Sequence, residues 1–281
     1  MSDSEVNVSN QVENNSEVNV SNQVENNSEE NNVISNEELI QIKTYFLEAI
    51  KMDNVEIISK YYHLKLIPDV KLIIYSVIHN LNNVFNYCLT QNTELSYQVL
   101  NEDNGYSLLE YICQYGHLEM LTTLIDNNYQ IDINRINTKA INQQSFIPIN
   151  ICIYEKHNNL IKCLLENNVD CNIAHNMTRN TPLHISILSN NHEALSMILQ
   201  SGVNPNLQNQ IGNTPLHLAS YINDLDSVAI LLQHNANINS KNFNYNTPID
   251  YALLENNEAI INLMKEHNAE TSYGKSVELV L

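Results

Sequence analysis

Positive charge is what this sequence most conspicuously lacks. Thirteen lysines and arginines face 32 aspartates and glutamates in 281 residues, leaving a formal net charge of -19. A chain this acidic is repelled by a phosphate backbone and by an anionic membrane surface, so neither nucleic acid nor a membrane is an expected partner. Long apolar runs are missing as well. The stretch at 72–81 is interrupted by Ser76, His79 and Asn80, far short of the roughly 18 apolar residues a membrane helix needs. The opening Met-Ser-Asp-Ser-Glu-Val has neither the basic nor the apolar region of a secretory signal. Cysteines number five, at Cys88, Cys113, Cys152, Cys163 and Cys171, with no C-x-x-C pair. They do not read as a disulfide framework, which points to a reducing compartment: cytoplasmic, with nucleus or host cytosol as variants. Glycine is scarce, at 5 residues, whereas asparagine, isoleucine and tyrosine are abundant, in keeping with an A+T-rich coding sequence.

The first 36 residues differ from the rest. The twelve residues at 4–15 recur letter for letter at 16–27, and a third copy starting at Ser28 decays. Up to Asn36 there is no aromatic residue and every ionisable side chain is acidic. Too little apolar surface is available to offset the entropy of ordering, so 1–36 is expected to be a disordered acidic tail. It reads either as a binding or phosphorylation tail or as a recent duplication without a specific role. At Ser35 the texture changes. Ser35 with Glu38 three residues on is a capping box, and Leu39, Ile42, Phe46, Leu47 and Ile50 mark an amphipathic helix.

A repeat then runs through the chain. Thr181-Pro182-Leu183-His184 returns 33 residues later as Thr214-Pro215-Leu216-His217, and 33 later again as Thr247-Pro248-Ile249-Asp250. Nine residues beyond each Thr stands Asn190, Asn223 or Asn256. The frame extends backwards with decay, giving about seven units starting near 44, 71, 107, 147, 181, 214 and 247. Thr at the N-cap accepts from free amides, and Pro at the first helical position loses no needed N–H. A short helix follows, apolar at Leu216, Leu218 and Ala219. After a turn, a second helix carries Leu225, Val228, Ile230, Leu231 and Leu232. Asn128, Asn168, Gly202, Asn235 and Asn268 occupy the place where a left-handed residue ends it; asparagine tolerates that geometry best after glycine. Two short helices cannot bury their apolar faces alone, so the units must stack.

These motifs resemble the ankyrin repeat. The resemblance is strong over 147–270, moderate at 107–134 and weaker but in phase at 37–106. It implies an all-α solenoid over 37–270 in which each unit is a helix pair with a finger-like loop beside a concave surface, followed by a tail at 271–281. Two departures stand out: the first-to-second spacing is 27, and about seven extra residues fall within 131–146. The resemblance also implies that His184 and His217 hydrogen-bond the Thr hydroxyl and neighbouring backbone, tying one unit to the next.

Chemistry is hard to find. No zinc-ligand spacing links Cys163, Cys171 and His175. Gly274-Lys275-Ser276 ends like a phosphate loop, but Ala269 stands where its first glycine belongs. The expectation is no enzyme, no cofactor and no metal. Attention falls instead on positions the repeat leaves variable. Late in the first helices lie Tyr115, Tyr154, Leu188, Tyr221 and Ile222, and the fingers carry Arg179 and Tyr245. The tyrosines either pack on adjacent units or serve as rigid amphipathic anchors for a partner. The expected function is a monomeric protein–protein interaction module whose partner is a protein, a basic one being favoured by the net charge. The alternative is an adaptor or host-directed effector that recruits a target to a second machine such as a ubiquitin ligase.

Overall fold

The computed structural model describes residues 35–91, 107–129, 131–134, 147–174 and 177–273. The repetitive N-terminal segment before Ser35, most of the 131–146 insertion, His175 and the residues after Tyr273 lie outside them. Fourteen α-helices and no β-strand occur among the described residues, arranged as seven consecutive helix–turn–helix pairs. They are α1 Asn36–Lys51 and α2 Val55–Tyr61, α3 Asp69–Ile78 and α4 Asn82–Gln91, α5 Leu108–Tyr115 and α6 Leu118–Asp126, α7 Pro148–Tyr154 and α8 Asn158–Glu166, α9 Pro182–Leu188 and α10 His192–Gln200, α11 Pro215–Tyr221 and α12 Leu225–Gln233, and α13 Pro248–Leu254 and α14 Glu258–Glu266. The chain divides into two units, Met1–Leu100 with Glu119–Ile131, and Asn101–Leu118 with Asp132–Leu281.

In the first unit, α1 packs on α2, α3 on α4, and α2 on α4. Ser35 and Glu38 form the expected reciprocal cap, and Phe46, Ala49 and Ile50 are buried. The repeat frame starts a unit near 44, yet the helix there begins at Asn36. The cap at Ser35 starts it early, and Thr44 lies inside, its hydroxyl donating to the Ile40 carbonyl at 2.9 Å. Asp53, in the following turn, accepts from the Asn83 and Val84 amides at 3.1 and 2.8 Å and so caps α4.

In the second unit, α5, α7, α9, α11 and α13 pack in succession to form one layer, and α8, α10, α12 and α14 form another behind it. The core lies between the layers. Leu183, Ile185 and Ile187 of α9 and Leu195, Ile198 and Leu199 of α10 are buried there, as are Leu216, Ala219, Val228, Leu231, Ile249, Ala252, Ile260 and Met264 of the next pairs. Leu225 is an exception to the expected second-helix core. As the first residue of α12, beside the turn, it stays 39% exposed.

Backbone geometry repeats more faithfully than sequence does. Sixteen described residues have φ between +47° and +85°. All sixteen fall on three positions of the frame. Asp53, Asn80, Gly116, Lys156, Asn190, Asn223 and Asn256 each lie nine residues after one of the seven frame starts and turn the chain between paired helices. Lys65, Asn128, Asn168, Gly202, Asn235 and Asn268 follow the second helices. Arg179, Gly212 and Tyr245 sit at the fingers. Left-handed geometry costs an ordinary L-residue about 1–2 kcal/mol. Eight of the sixteen are asparagine, which is how a chain with so little glycine keeps this fold.

The Thr–His frame behaves as the resemblance implies. The Thr214 hydroxyl meets His217 Nδ1 at 2.8 Å, and Nδ1 also accepts from the Thr214 amide at 3.2 Å. His217 Nε2 donates to the Asn246 carbonyl of the next finger at 2.9 Å. His184 repeats this with Thr181 and the Asn213 carbonyl, at 2.9 and 3.0 Å. A carbonyl at Nε2 fixes the neutral tautomer with its proton there. In the last unit the neighbouring group is the Ser272 amide, a donor. Asp250 replaces histidine and accepts from it at 3.1 Å while also accepting from the Thr247 amide at 2.7 Å.

Candidate partner-binding surface

In the fourth to seventh pairs the last residue of the first helix points away from the core because the helix ends one residue before the turn. Tyr154, Leu188, Tyr221 and Leu254 close α7, α9, α11 and α13, and they are 55%, 46%, 53% and 70% exposed. Those helices pack in succession, so the four side chains form a row with steps of roughly 8–10 Å, the usual distance between packed helices. Ile222, the C-cap residue of α11, stands beside Tyr221 and is also exposed. Tyr115 is placed differently. Gln114 occupies the frame position of Tyr154, so Tyr115 falls one residue further on; it is half-buried, with its ring nearly parallel to that of His117 at 6.2 Å.

Tyr221 combines both roles considered for it. Its ring meets Tyr251 edge-on at 5.6 Å, yet about half of it remains in solvent. Tyr251 is itself held, because its hydroxyl accepts from Asn242 Nδ2 at 3.0 Å. Tyr221 is thus an exposed aromatic side chain on a fixed seat. Nothing in the repeat frame marked Tyr251 in advance; the signal was an aromatic residue at the frame position of Leu218 and Ile185.

The fingers present a second exposed apolar set: Met177, Ile211, Phe243 and Tyr245. Gln210 N donates to the Thr178 carbonyl at 2.8 Å and Phe243 N to the Ile211 carbonyl at 3.4 Å, linking neighbouring fingers. Phe243 folds over Gly212 so closely that a Cβ there would lie 2.5 Å from its amide nitrogen and 2.7 Å from its ring. Arg179 and Tyr245 are exposed and left-handed at the position where Gly212 keeps glycine.

Charge is unevenly distributed over the second unit. The turns between paired helices and the first turns of the second helices carry Glu155, Glu193, Asp224, Asp226, Glu255 and Glu258, whereas the finger segments 171–180, 204–213 and 237–246 contain no carboxylate. Glu155 accepts from Gln114 Nε2 at 2.7 Å and Glu193 from Asn158 Nδ2 at 2.6 Å. His192 Nε2 lies 3.0 Å from the Asp224 carboxylate. Burial alone would raise the Asp224 carboxyl, but hydrogen bonds from Ser227 and His192 outweigh it and hold it below its ordinary range.

Other reactive groups are enclosed. All five cysteines are free and buried. Burial pushes the Cys88 and Cys171 thiols up to about 12, and the Cys152 thiol beside it, with burial, pushes Cys113 up as well; thiols so raised are poor nucleophiles. Among the described residues no group of His, Cys, Asp and Glu is placed to hold a metal ion, and no helix is long and apolar enough to cross a membrane.

A search of curated proteins finds no relative that matches the chain. Residues 135–209 and 189–274 match the family model described as ankyrin repeats in three copies, the same stretch in which the Thr–Pro caps, the inter-unit histidines and the left-handed turns recur in register. The chain belongs to the ankyrin-repeat family.

Proposed function

We propose that this chain is a non-enzymatic interaction module that binds a protein partner through the first-helix face of its second unit. The contact is centred on Tyr154, Leu188, Tyr221 and Ile222 and flanked by the fingers with Arg179 and Tyr245; Tyr115 lies at its margin. One observation carries this reading: four consecutive stacked helices end in large apolar side chains that the fold leaves in solvent. Exposed contiguous apolar surface with a polar rim is characteristic of interaction sites. Tyr221, braced by Tyr251, gives the partner area at low entropic cost. The acidic turns favour a basic partner and speed its approach. Five free thiols support action in a reducing compartment such as the cytoplasm.

The test is comparative capture from the source cell. Tyr154→Ala with Tyr221→Ala should lose the proteins retained by the wild type at a temperature where both proteins remain fully folded. Lys162→Ala with Gln233→Ala, on exposed second-helix positions, should retain them. The opposite pattern would remove the first-helix face from consideration.

A further inference from the structure

Among the fourth to seventh pairs the turns are built alike, yet that of the sixth departs from the others in chemistry. At the position after each first helix stand Glu155, Ser189 and Glu255, but Ile222 in the sixth pair. At the first position of their second helices stand Asn158, His192 and Glu258, but Leu225 in the sixth pair, as Leu118 stands at that position in the third. Polar residues serve equally well at both places in the neighbouring pairs, so the fold does not call for apolar ones. Ile222 and Leu225 are 40% and 39% exposed. With Leu188, and with the buried Ile187 beneath, they line an open cleft of about 660 Å³ between the fifth and sixth pairs. A volume of that order suits a few side chains rather than a single ion.

The border of the cleft is acidic. Asp224 and Asp226 line it, and Glu193, Glu255 and Glu258 stand on the turns to either side. Among the described residues no lysine or arginine pairs with any of these five carboxylates. Lys156 places its ammonium at the margin of the cleft, donating to the Asn190 carbonyl at 3.3 Å rather than to a carboxylate. His192 faces Asp224, which leaves Glu193, Asp226, Glu255 and Glu258 without a cation. Apolar walls under uncompensated negative charge select an occupant that brings both an apolar side chain and a cation. A neutral apolar segment gains nothing from the border, and an acidic one is repelled.

We propose that this cleft takes an amphipathic basic segment of the partner, inserting an apolar side chain between Leu188, Ile222 and Leu225 while a neighbouring lysine or arginine meets Asp226 and the adjoining carboxylates. The inference rests on the first-helix face being the partner surface, and it names the chemistry that surface selects.

The full chain can be tested by fluorescence anisotropy with three labelled helical peptides of equal length, composed of leucine, lysine and alanine, of leucine, glutamate and alanine, or of lysine and alanine only. The leucine–lysine peptide should bind, more weakly as salt rises, and the other two should bind at least about tenfold more weakly. Leu188→Ser with Ile222→Ser, at exposed sites that leave melting unchanged, should weaken binding about tenfold. Asp226→Asn should weaken it severalfold and flatten its salt dependence, and Lys162→Gln should leave it unchanged. Equal binding of the lysine–alanine peptide would reduce the effect to diffuse net charge and overturn the proposal. Equal binding of the glutamate peptide, or insensitivity to the Leu188 and Ile222 substitutions, would overturn it too. If the cleft fails while Tyr154→Ala with Tyr221→Ala still abolishes capture of the natural partner, the interaction reading stands and only this inference falls.

Discussion

Asn242 donates its side-chain amide to Asn213 Oδ1 at 2.7 Å, and both side chains are buried. Its other atoms are fully used: Nδ2 also donates to the Tyr251 hydroxyl, and Oδ1 accepts from the Asn244 and Asn246 amides at 2.9 and 3.0 Å. Asn209 does the same one unit earlier, donating to Asn180 Oδ1 at 3.0 Å and accepting from Ile211 and Asn213. A parallel set of contacts joins the loops behind. Asn134, Asn206 and Asn239 each accept from a backbone amide of the following unit, at Asp170, Asn237 and Glu270. Asparagine therefore does two jobs here, relaxing left-handed turns and stitching one unit to the next. Asn242→Ala should lower stability by about 1–3 kcal/mol, because it strands two finger amides and the side-chain oxygen Oδ1 of Asn213. Urea denaturation at neutral pH measures this; a change within experimental error would mean solvent satisfies those groups.

Acid should unfold the second unit through its histidines. Burial lowers His184 from 6.5 to about 4 and lowers His217 as well. Between those pH values the unfolded chain binds a proton at His184 that the folded chain does not. Its contribution is therefore complete above about pH 6.5 and is lost progressively as the pH falls toward 4. At pH 5 the loss from His184 amounts to about 2 kcal/mol. His184→Gln should be less stable than wild type at pH 7.5 but lose less stability on going to pH 5, as followed by thermal melting at both values. Equal acid sensitivity in the two proteins would clear His184 of this role.

The fourth pair lacks the polar frame of its neighbours and should gain from its restoration. Ile147 provides no side-chain cap, and both amide atoms of Asn150 are buried without a partner. Ile147→Thr with Asn150→His recreates the motif of the next pair and should stabilise the protein by about 1 kcal/mol or more. The urea midpoint should rise with an unchanged slope. A fall would show that the cavity left by the Ile147 methyl group outweighs the new bonds.

Tyr245 should trade stability for contact. It is a large residue at φ 64°, exposed, in a place that suits glycine. Tyr245→Gly relieves strain of about 1–2 kcal/mol but loosens the unfolded chain by roughly 0.5–1 kcal/mol. The melting temperature should hold or rise slightly while partner affinity falls. A clear drop in melting temperature would show that the ring supports the finger.

Much of this fold was legible because its signals are periodic. Thr-Pro-Leu-His fixed the helix starts, and Asn128, Asn168, Asn235 and Asn268 marked the left-handed ends. The Thr214–His217–Asn246 bridge followed from the family resemblance. The amide contacts escaped notice because Asn213 and Asn242 lie 29 residues apart and a side-chain hydrogen bond leaves no hydrophobic pattern. The left-handed geometry of Arg179 and Tyr245 was hidden because neither residue type favours it. Leu225 was read as core from its apolar character, but its place beside the turn leaves it in solvent. Polarity at the turns was visible residue by residue, whereas the cleft at Leu188 and Ile222 required the stacking of neighbouring pairs.

The central claim, that the first-helix face holds the partner, is tested most directly by photo-crosslinking in the source cell. A benzophenone-bearing phenylalanine would replace Tyr154, Leu188 or Tyr221 on one face, and Lys162, Gln200 or Gln233 on the exposed second-helix positions. The account predicts one common crosslinked partner from the first three sites and none from the other three. Crosslinks to that partner from Lys162, Gln200 or Gln233, with none from Tyr154, Leu188 or Tyr221, would contradict it.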